Sequence, residues 1–520
     1  MPIRMVDDSN DQFDNSNDNS GGGGRTTGGG GGGGILAFLP LLFGLFRKSP
    51  VLAILIAVVG GYFYFKGCGG VSSTASGLSL GGLLDPQQFA KAQIYEPVDD
   101  GKNPLPESVS LVKFAPGPGN QGQQGSCVAW SSAYAARTIL ESVSTGQDPN
   151  QIKFSPSFLY NQIGLDGCNG SYIIRAMETM TKVGSVPYNA FPYDDQDCSS
   201  QPSGSLKQGA QQFRMLGFTR LTDGDNTENL DVRGIKEHLA KDVPVVIGMM
   251  AGGTFMQDMM GQDVWHPTND DYNMQGFGGH AICVMGYDDR KEGGAFLIQN
   301  SWGPEWGVDG RAWIRYSDFK HFVREAYGVN PMPLKGAAAT TQLNCSIGLM
   351  EGKTKKYIPL KVKNGNVFET VASIKKGTQF KIEVKNNTAC YVYVLGMETD
   401  GSSYVLFPYP SKTDPTRSPF SPYCGITGSR LFPRGMSMMA DSIGNKDYMA
   451  VITTKDSLDV FALNRVVTAN KSAGFPQAIN GALHNQSVRT SFTSSGGAMA
   501  FSTDTKEGDA VVCIVEIDKQ

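Results

Sequence analysis

Three side chains with the chemistry of a nucleophile, a base and an orienting amide occur in order along this chain. Cys127 follows a Gly-rich turn and begins an apolar, Ala-rich run that predicts a helix over residues 127–143. The unpaired N–H groups and the positive dipole end at the start of a helix favour a thiolate over a thiol. His280 begins an apolar, strand-like run, and Asn300 lies directly before Ser301-Trp302-Gly303. A lone Cys127 would be interpreted as a small buried apolar residue, but the later histidine and asparagine complete a nucleophile–base–orienter set.

The residues around these positions resemble the papain family of cysteine proteases. The family pattern runs Gln-Gly-x-Cys-Gly-Ser-Cys-Trp, then x-His-Ala, then Asn-Ser-Trp-Gly. The matching positions are Gln121, Gly125, Ser126, Cys127, His280, Ala281, Asn300, Ser301, Trp302 and Gly303. Further family-like landmarks are Gly167-Cys168-Asn169-Gly170, the stretch from Tyr188 to Tyr193, Gly286-Tyr287, and Trp306-Gly307 with Gly310. The resemblance covers roughly residues 105–330 and is to a membrane-anchored bacterial type.

The resemblance implies an α+β fold with two lobes over residues 105–330. A helical lobe would carry the cysteine, a β-barrel-like lobe would carry the histidine and the asparagine, and the active site would be the cleft between them. Helical patterns are present at 127–143, 171–182 and 232–241, and strand-like runs at 244–249, 281–287, 295–299 and 312–316.

The resemblance also implies the activity of a cysteine-type peptidase. Cys127 would attack the scissile carbonyl as a thiolate paired with protonated His280, and Asn300 would orient that imidazole. Gln121 and the backbone N–H of Cys127 would form the oxyanion hole. Trp302 would shield the hydrogen bond between the histidine and the asparagine from water. The substrate-binding positions implied by the same motifs are Gly170, Ser171, Gly278 and Gly279, together with Trp302.

Some positions depart from the family pattern or bear on specificity. Val128 replaces the usual Trp after the nucleophile, and Ser171 stands where the family has a second Gly in a loop that binds substrate backbone. Gly278 and Gly279 precede His280. We expect this wall of the cleft to be open and to tolerate bulky apolar side chains two residues before the scissile bond.

The nine cysteines are too few for a disulfide scaffold. In the family, a cysteine three positions before the nucleophile pairs with the cysteine at the position of Cys168; here Gln124 stands at that place. We therefore expect Cys168 and Cys198 to pair with each other, which an oxidising compartment would permit. Cys283 is expected to be a buried free thiol.

The N-terminal part of the chain has two unusual segments. Residues 1–34 combine Asp, Asn and Ser with a glycine run, have almost nothing apolar to bury, and predict a disordered tail. Residues 35–66 contain two apolar blocks, 35–46 and 51–65, and neither reaches the ~20 residues of a membrane span.

We expect one transmembrane helix from about Ser49 to Lys66, with the first block in the interface or extending the helix past Pro50. Arg47 and Lys48 would remain cytoplasmic by the positive-inside rule, which places the catalytic part outside, in the cell envelope or periplasm. The alternative is a buried helix of a soluble domain.

The remaining segments are two linkers and a C-terminal domain. Residues 67–104 are expected to be a Gly/Ser-rich linker, too short for the folded inhibitory pro-segment usual in the family. Residues 331–342 predict a second linker. Residues 343–520 predict an all-β, sandwich-like accessory domain, because short apolar runs alternate with polar turns. Within it, the stretch 380–410 resembles an uncharacterised domain family of bacterial enzymes and surface proteins and suits a binding or spacer role, for example toward a cell-envelope ligand.

Three classes of function remain open at this stage. The first is a membrane-anchored cysteine endopeptidase that acts on polypeptides, and the filled triad and oxyanion positions favour it. The second is a catalytically idle papain-fold binding protein, and the third is a thiol-dependent cell-wall peptide hydrolase. A formal net charge of −4 does not indicate a nucleic-acid partner. No metal-ligand spacing or cofactor motif is present in the sequence, so neither a metal nor a cofactor is expected.

Overall fold

The computed structural model describes residues 3–7, 80–221, 230–335 and 341–520. The predicted membrane-anchoring segment 35–66 lies outside these ranges, as do most of the predicted tail and residues 67–79 of the first linker. Among the described residues, no helix is both long enough and apolar enough to cross a bilayer.

The helical lobe places the cysteine at the start of a long helical stretch. Its helices are α1 (Pro86–Phe89), α2 (Cys127–Ala129), a π-helix (Trp130–Arg137), α3 (Thr138–Thr145), α4 (Pro149–Ile152), α5 (Pro156–Ile163), α6 (Ile173–Lys182) and α7 (Gly204–Ala210). Ser155 Oγ accepts the N–H of Phe158 at the start of α5, and Gly146, at φ 71°, ends α3. The helix predicted at 127–143 is therefore present, but its middle is a π-helix.

The second lobe is an antiparallel sheet. Its strands are β2 (Ser108–Ser110), β3 (Phe218–Arg220), β4 (Val245–Ala251), β5 (Gly278–Asp288), β6 (Ala295–Gln299), β7 (Arg311–Arg315) and β8 (Val323–Val329). Their order in the sheet is β3-β8-β4-β5-β6-β7, with β2 paired to the end of β5. Its helices are α8 (Val232–Leu239), α9 (Gly253–Gln257) and α10 (Tyr316–Phe322). The apolar runs of β4, β5 and β6 are buried almost throughout, which is why they form the centre of this sheet.

The accessory domain is a sandwich of two sheets. The strands are β1 (Ile3–Asp7), β9 (Gln342–Glu351), β10 (Tyr357–Ile358), β11 (Leu360–Asn364), β12 (Val367–Thr370), β13 (Gln379–Asn386), β14 (Cys390–Met397), β15 (Ser403–Phe407), β16 (Tyr423–Cys424), β17 (Gly428–Phe432), β18 (Met436–Ala440), β19 (Lys446–Thr454), β20 (Thr493–Ser495), β21 (Ala498–Asp504) and β22 (Ala510–Asp518). One sheet has the order β1-β18-β13-β9-β21-β20, and in it β10 pairs with β9 and β17 with β13. The other sheet has the order β11-β12-β22-β19-β14-β15, and in it β16 pairs with β14.

The prediction of an all-β accessory domain is incomplete. Helices α11 (Val460–Ala469) and α12 (Phe475–Ala482) pack their apolar faces on the outer face of the second sheet. Asp459 accepts the N–H of Ala462 and so caps α11. The domain therefore has three layers, and the strand-like runs alone did not indicate the third.

The prediction that residues 1–34 cannot fold is wrong for the first few residues. Strand β1 pairs antiparallel with the edge strand β18, from Ile3 opposite Ala440 to Asp7 opposite Met436. An edge strand offers unpaired backbone groups that can order a short extended segment. The neighbouring sheet, rather than the composition of the tail, decides the structure there.

Candidate active site

Cys127 begins α2 and is fully buried. The backbone N–H of Ala281 donates to its sulfur at 3.4 Å, so the nucleophile and the strand that carries the histidine are in contact. The two lobes therefore meet at this sulfur, as the resemblance implied. Val128, the departure from the family pattern, is buried in the core and adds no polar group.

His280 and Asn300 come together because they lie on neighbouring strands. His280 is in β5, and Asn300 directly follows β6, which pairs with β5. His280 Nε2 and Asn300 Oδ1 are 2.8 Å apart, and the same oxygen accepts the N–H of Ser301. Since the amide oxygen only accepts, Nε2 carries the proton and Nδ1 is the atom that can exchange a proton with a reactant.

Trp302 covers this pair. Its ring stacks on the imidazole of His280 with 4.5 Å between the centroids and 20° between the planes. The indole therefore excludes water from the hydrogen bond between the histidine and the asparagine. The position predicted for Trp302 from the family pattern agrees with this contact.

Gln121 is oriented by two hydrogen bonds that sequence reasoning did not assign. Ser301 Oγ donates to Gln121 Oε1 at 2.7 Å, and Gln121 Nε2 donates to the carbonyl of Gln124 at 2.9 Å. Tyr193, which the sequence indicated only as part of a landmark, donates to the Gln121 carbonyl at 2.8 Å and lies 2.6 Å from Ser126 Oγ. Ser301 and Tyr193 are thus positioning residues for the predicted oxyanion hole.

Burial shifts the pKa values of the two candidate reactive side chains in opposite directions. Burial raises the pKa of the Cys127 thiol to about 12, and burial lowers the pKa of His280 to about 4. Nδ1 of His280 has no hydrogen-bond partner among the described residues. Both shifts have burial as their main cause, and both oppose the thiolate–imidazolium pair that the resemblance implies.

The reason for this burial is a segment that lies in the cleft. Residues 80–84, which we call the strap, run between Ser171 and Gly279. The Gly279 carbonyl accepts the N–H groups of Gly81 and Gly82 at 3.3 and 3.0 Å. Ser171 donates to the Gly81 carbonyl at 2.9 Å and accepts from the N–H of Leu83 at 2.9 Å. Two of the predicted substrate-binding positions therefore hold the chain itself.

The strap approaches the catalytic atoms closely because it contains two glycines. A Cβ on Gly81 would overlap the carbonyl oxygen of Gly125, and one on Gly82 would lie 2.9 Å from the carbonyl carbon of His280. The N–H of Gly81 also lowers the pKa of the Cys127 thiol and so acts against the effect of burial. The expectation of a plain linker over residues 67–104 is thus wrong for the described part of that range.

The other predicted glycines are needed for this approach. A Cβ on Gly279 would overlap the carbonyl oxygen of Gly82, and one on Gly170 would overlap that of Gly81. A Cβ on Gly278 would lie 2.7 Å from Leu80 Cδ1. In this structure the strap fills the space beside the wall that was expected to be open.

A buried carboxyl group lies beside the end of the strap. Leu84 Cδ2, Ile173 Cδ1 and Glu325 Cβ converge on the backbone of Gly248. Glu325 Oε1 accepts the N–H of Asp85 at 3.1 Å, and burial raises the pKa of Glu325 to about 7. Sequence reasoning missed Glu325; its only signal is a charged residue inside the apolar run of β8.

The predicted disulfide between Cys168 and Cys198 is present, with a Cα–Cα distance of 5.9 Å. It closes the loop that precedes Gly170 and Ser171. Cys283 is a buried free thiol, as predicted. The disulfide thus stabilises the loop that binds the strap.

Comparison with models of known protein families matches residues 112–331 to the papain family cysteine proteases and residues 373–423 to a domain of unknown function, DUF4384. The first match confirms the papain-like domain predicted at about 105–330. The second agrees with the resemblance noted at 380–410.

Two curated relatives show the extent of the similarity. Cathepsin K of Mus musculus is 27% identical over 230 residues, which are 44% of this chain and 64% of the mouse protein. Cathepsin B-like CP2 of Giardia intestinalis is 27% identical over 244 residues, 44% of this chain and 77% of that protein. The match thus spans less than two thirds of the length of cathepsin K.

The solved structures that this chain matches include xylellain, a cysteine protease from Xylella fastidiosa. It has a TM-score of 0.39 and 23% identity, and the match covers 49% of this chain and 97% of that one. Procathepsin L2 from Tenebrio molitor larval midgut has a TM-score of 0.40 and 20% identity, with 55% of this chain and 90% of that one covered.

Proposed function

Since residues 112–331 form a papain-family cysteine protease domain, we propose that this chain is a cysteine peptidase that hydrolyses peptide bonds in polypeptides. The observation that carries the proposal is the hydrogen bond from His280 to Asn300 under Trp302, in a strand whose Ala281 N–H contacts the Cys127 sulfur. A nucleophile, an oriented base and a shield against water are the parts that thiol-dependent acyl transfer needs.

The reaction begins when the strap leaves the cleft and the site is hydrated. His280 Nδ1 takes the proton of Cys127, and the sulfur attacks the carbonyl carbon of the substrate. The negative charge that develops on the carbonyl oxygen is stabilised by the Cys127 N–H and by Gln121 Nε2. The imidazolium then protonates the leaving amine, which leaves an acyl-thioester on Cys127.

Deacylation uses the same groups in the opposite direction. His280 Nδ1 takes a proton from water, and the resulting hydroxide attacks the thioester carbonyl. The acid product leaves, and the proton returns to the Cys127 sulfur. Asn300 holds the imidazole in one tautomer throughout, because its Oδ1 accepts from Nε2.

Labelling and hydrolysis by the full-length chain test this proposal. We expect a thiol-directed epoxide to add once to Gly81→Ala, whose new Cβ displaces the strap, and not to Gly81→Ala/Cys127→Ala. The first variant should cleave casein and the second should not. Folded Gly81→Ala that neither reacts nor cleaves casein would refute the proposal and favour an idle binding protein; cleavage of purified peptidoglycan peptides but not casein would favour the wall hydrolase.

A membrane anchor at residues 35–66 and an extracytoplasmic location are further parts of the proposal. They are supported by the two apolar blocks and by the Cys168–Cys198 disulfide, which is typical of oxidising compartments. Fractionation of cells that express the full-length chain checks the anchor. Recovery of all protein in the soluble fraction would contradict it.

A further inference from the structure

The chain that follows the strap is held between the two domains. Residues 93–103 are called the bridging segment here. At its start, successive residues form backbone hydrogen bonds to the accessory domain and to the peptidase domain in alternation. Ile94 donates to the Pro419 carbonyl at 2.7 Å and accepts from the N–H of Ser421 at 2.9 Å, both in the accessory domain. The neighbouring Gln93 carbonyl and Tyr95 N–H bond to Arg220 of the peptidase sheet at 2.8 and 3.0 Å.

A buried arginine of the accessory domain fixes the next residue. Arg430 is 1% exposed, and its Nε donates to the Glu96 carbonyl at 3.0 Å. Its other nitrogens donate to Asn386 Oδ1 and to the Ile426 carbonyl, each at 2.9 Å. Tyr409 donates to Glu96 Oε1 at 3.3 Å. A guanidinium that is bonded on three sides provides a rigid seat for the bridging segment.

The end of the bridging segment is bound by further contacts to the same domain. The backbone N–H of Asp99 donates to the Ser429 carbonyl at 2.8 Å. Asn103 exchanges two hydrogen bonds of 3.1 Å with the backbone of Ser429. Lys102 Nζ lies 2.7 Å from Glu383 Oε2 and 4.5 Å from the ring centroid of Tyr357.

The peptidase side binds the same residues, mainly through one carboxylate. Glu237 Oε2 accepts from the hydroxyl of Tyr95 at 2.9 Å and from the N–H of Val98 at 3.2 Å. Arg233 donates to the Asn103 carbonyl at 2.8 Å. The bridging segment therefore lies between the two domains. If it lost its contacts to either domain, buried polar groups would be left unpaired.

Only a short stretch connects the strap to the bridging segment, and it is ordered as well. Asp85 caps α1, and Phe89 is fully buried against the ring of Tyr327 at 5.1 Å. A short, ordered connection keeps the strap at a high effective concentration beside the cleft. The strength of this tether depends on how firmly its far end is anchored.

We infer that the accessory domain is a latch for the active site: by gripping residues 93–103 it keeps residues 80–84 in the cleft. Loosening of this grip, for example by a ligand of the accessory domain that displaces the bridging segment, opens the site without cleavage of the chain. The inference rests on the proposed peptidase function, since it describes the control of the same cysteine.

The test measures how fast the epoxide alkylates Cys127 in the full-length chain. The double variant Lys102→Met/Asn103→Ala removes contacts to Glu383 and Ser429 and leaves the strap and the catalytic residues unchanged. Asn470→Ala/Lys471→Met is the matched control, because among the described residues the side chains of this neighbouring pair bond to Val466 and Asp400, both within the accessory domain. We expect about tenfold faster alkylation in the first variant and the wild-type rate in the control.

Further variants make each outcome decisive. Lys102→Arg keeps a cation beside Glu383 and leaves Asn103 in place, so it should react at the wild-type rate. Tyr409→Phe removes the hydroxyl that donates to Glu96 and should raise the alkylation rate. It replaces the double variant in the test if that variant does not fold. If Gly81→Ala reacts rapidly while the folded latch variants react like the wild type, the latch is refuted and the proposed function stands. If Gly81→Ala does not react either, the proposed function itself fails.

Discussion

The side chains of Cys127 and His280 differ from an exposed cysteine and histidine chiefly in their hydration. With the strap in place, burial raises the pKa of the thiol and lowers the pKa of the imidazole. Asn300 Oδ1 and the ring of Trp302 already contact the imidazole. In the proposed mechanism, activation therefore requires water and substrate to enter rather than a new arrangement of Cys127, His280 and Asn300.

Ser301→Ala tests the orientation of Gln121 at this scale. Without the donor to Gln121 Oε1, the amide rotates more freely, and we expect kcat to fall about tenfold with KM nearly unchanged, less than the ~10²–10³ of a lost oxyanion donor. The measurement is steady-state peptide hydrolysis in the Gly81→Ala background. Ser142→Ala is the control, because it removes a 2.8 Å hydrogen bond from a serine of α3 to the Gln147 carbonyl, which follows that helix. A change in KM alone would contradict the assigned role.

Glu325→Gln tests a pH dependence of the closed state. Burial raises the pKa of Glu325 to about 7 with the strap in place, and we expect it to return toward 4.5 when the strap leaves. A raised pKa means that closure is most favourable below about pH 4.5 and weakens as the pH rises through 7. We expect the ratio of alkylation rates, wild type over Glu325→Gln, to rise by up to about 10² from pH 5 to pH 8, since most of the range between the two pKa values is crossed there and each pKa unit is a factor of ten. Taking the ratio cancels the pH dependence that comes from the ionisation of Cys127 itself. A ratio that does not change with pH would show that Glu325 stays covered when the site opens.

At the scale of elements, the active site is assembled from the loop before α2, the strands β5 and β6, and the loop before α6. The last of these carries Gly170 and Ser171, and the Cys168–Cys198 disulfide holds it. Gly170 also donates its N–H to Tyr160 at 3.0 Å. The strap thus occupies the loop that is predicted to bind substrate backbone.

Cys198→Ser tests the contribution of the disulfide to this loop. Removal of a cross-link of this size lowers the free energy of unfolding by about 3 kcal/mol in the chain-entropy view. We expect a lower denaturant midpoint and faster hydrogen exchange of residues 166–171. Wild type treated with reductant should show the same shift, and a variant as stable as oxidised wild type would contradict a structural role for the bond.

At the scale of the whole molecule, strand β1 constrains how the chain can sit in a membrane. The pairing of Ile3–Asp7 with β18 requires both segments to be on the same side of any bilayer. A single span at 49–66 would separate them, whereas the alternative of a buried helix of a soluble domain would not. The two arrangements therefore make opposite predictions for the N-terminus.

Cysteine accessibility in intact cells distinguishes these topologies. We expect Asp7→Cys and Lys471→Cys to react with a membrane-impermeant maleimide from the same side, as the β1–β18 pairing requires. The control is each variant after permeabilisation, when both should react fully. Reaction from opposite sides would support the single span and exclude the pairing within one chain.

Sequence patterns alone predicted the site residues Cys127, His280, Asn300, Gln121 and Trp302, which the structure brings together, and the extent of the papain-like domain, which the family match confirms. Such a prediction is possible because the chemistry demands particular side chains at nearly fixed positions relative to a helix start and two strand ends. Most helices and strands of that domain were also predictable, since each buries a continuous apolar face.

The tertiary structure alone decided which segment occupies the cleft and what holds it there. Residues 80–84 have the composition of a linker, and Ser301, Tyr193 and Glu325 have ordinary local sequences. Their roles arise from hydrogen bonds between parts of the chain that are distant in sequence, as between Gly81 and Ser171 or Glu96 and Arg430. Local patterns carry no record of such pairings, because the partners become neighbours only when the two domains fold around the bridging segment.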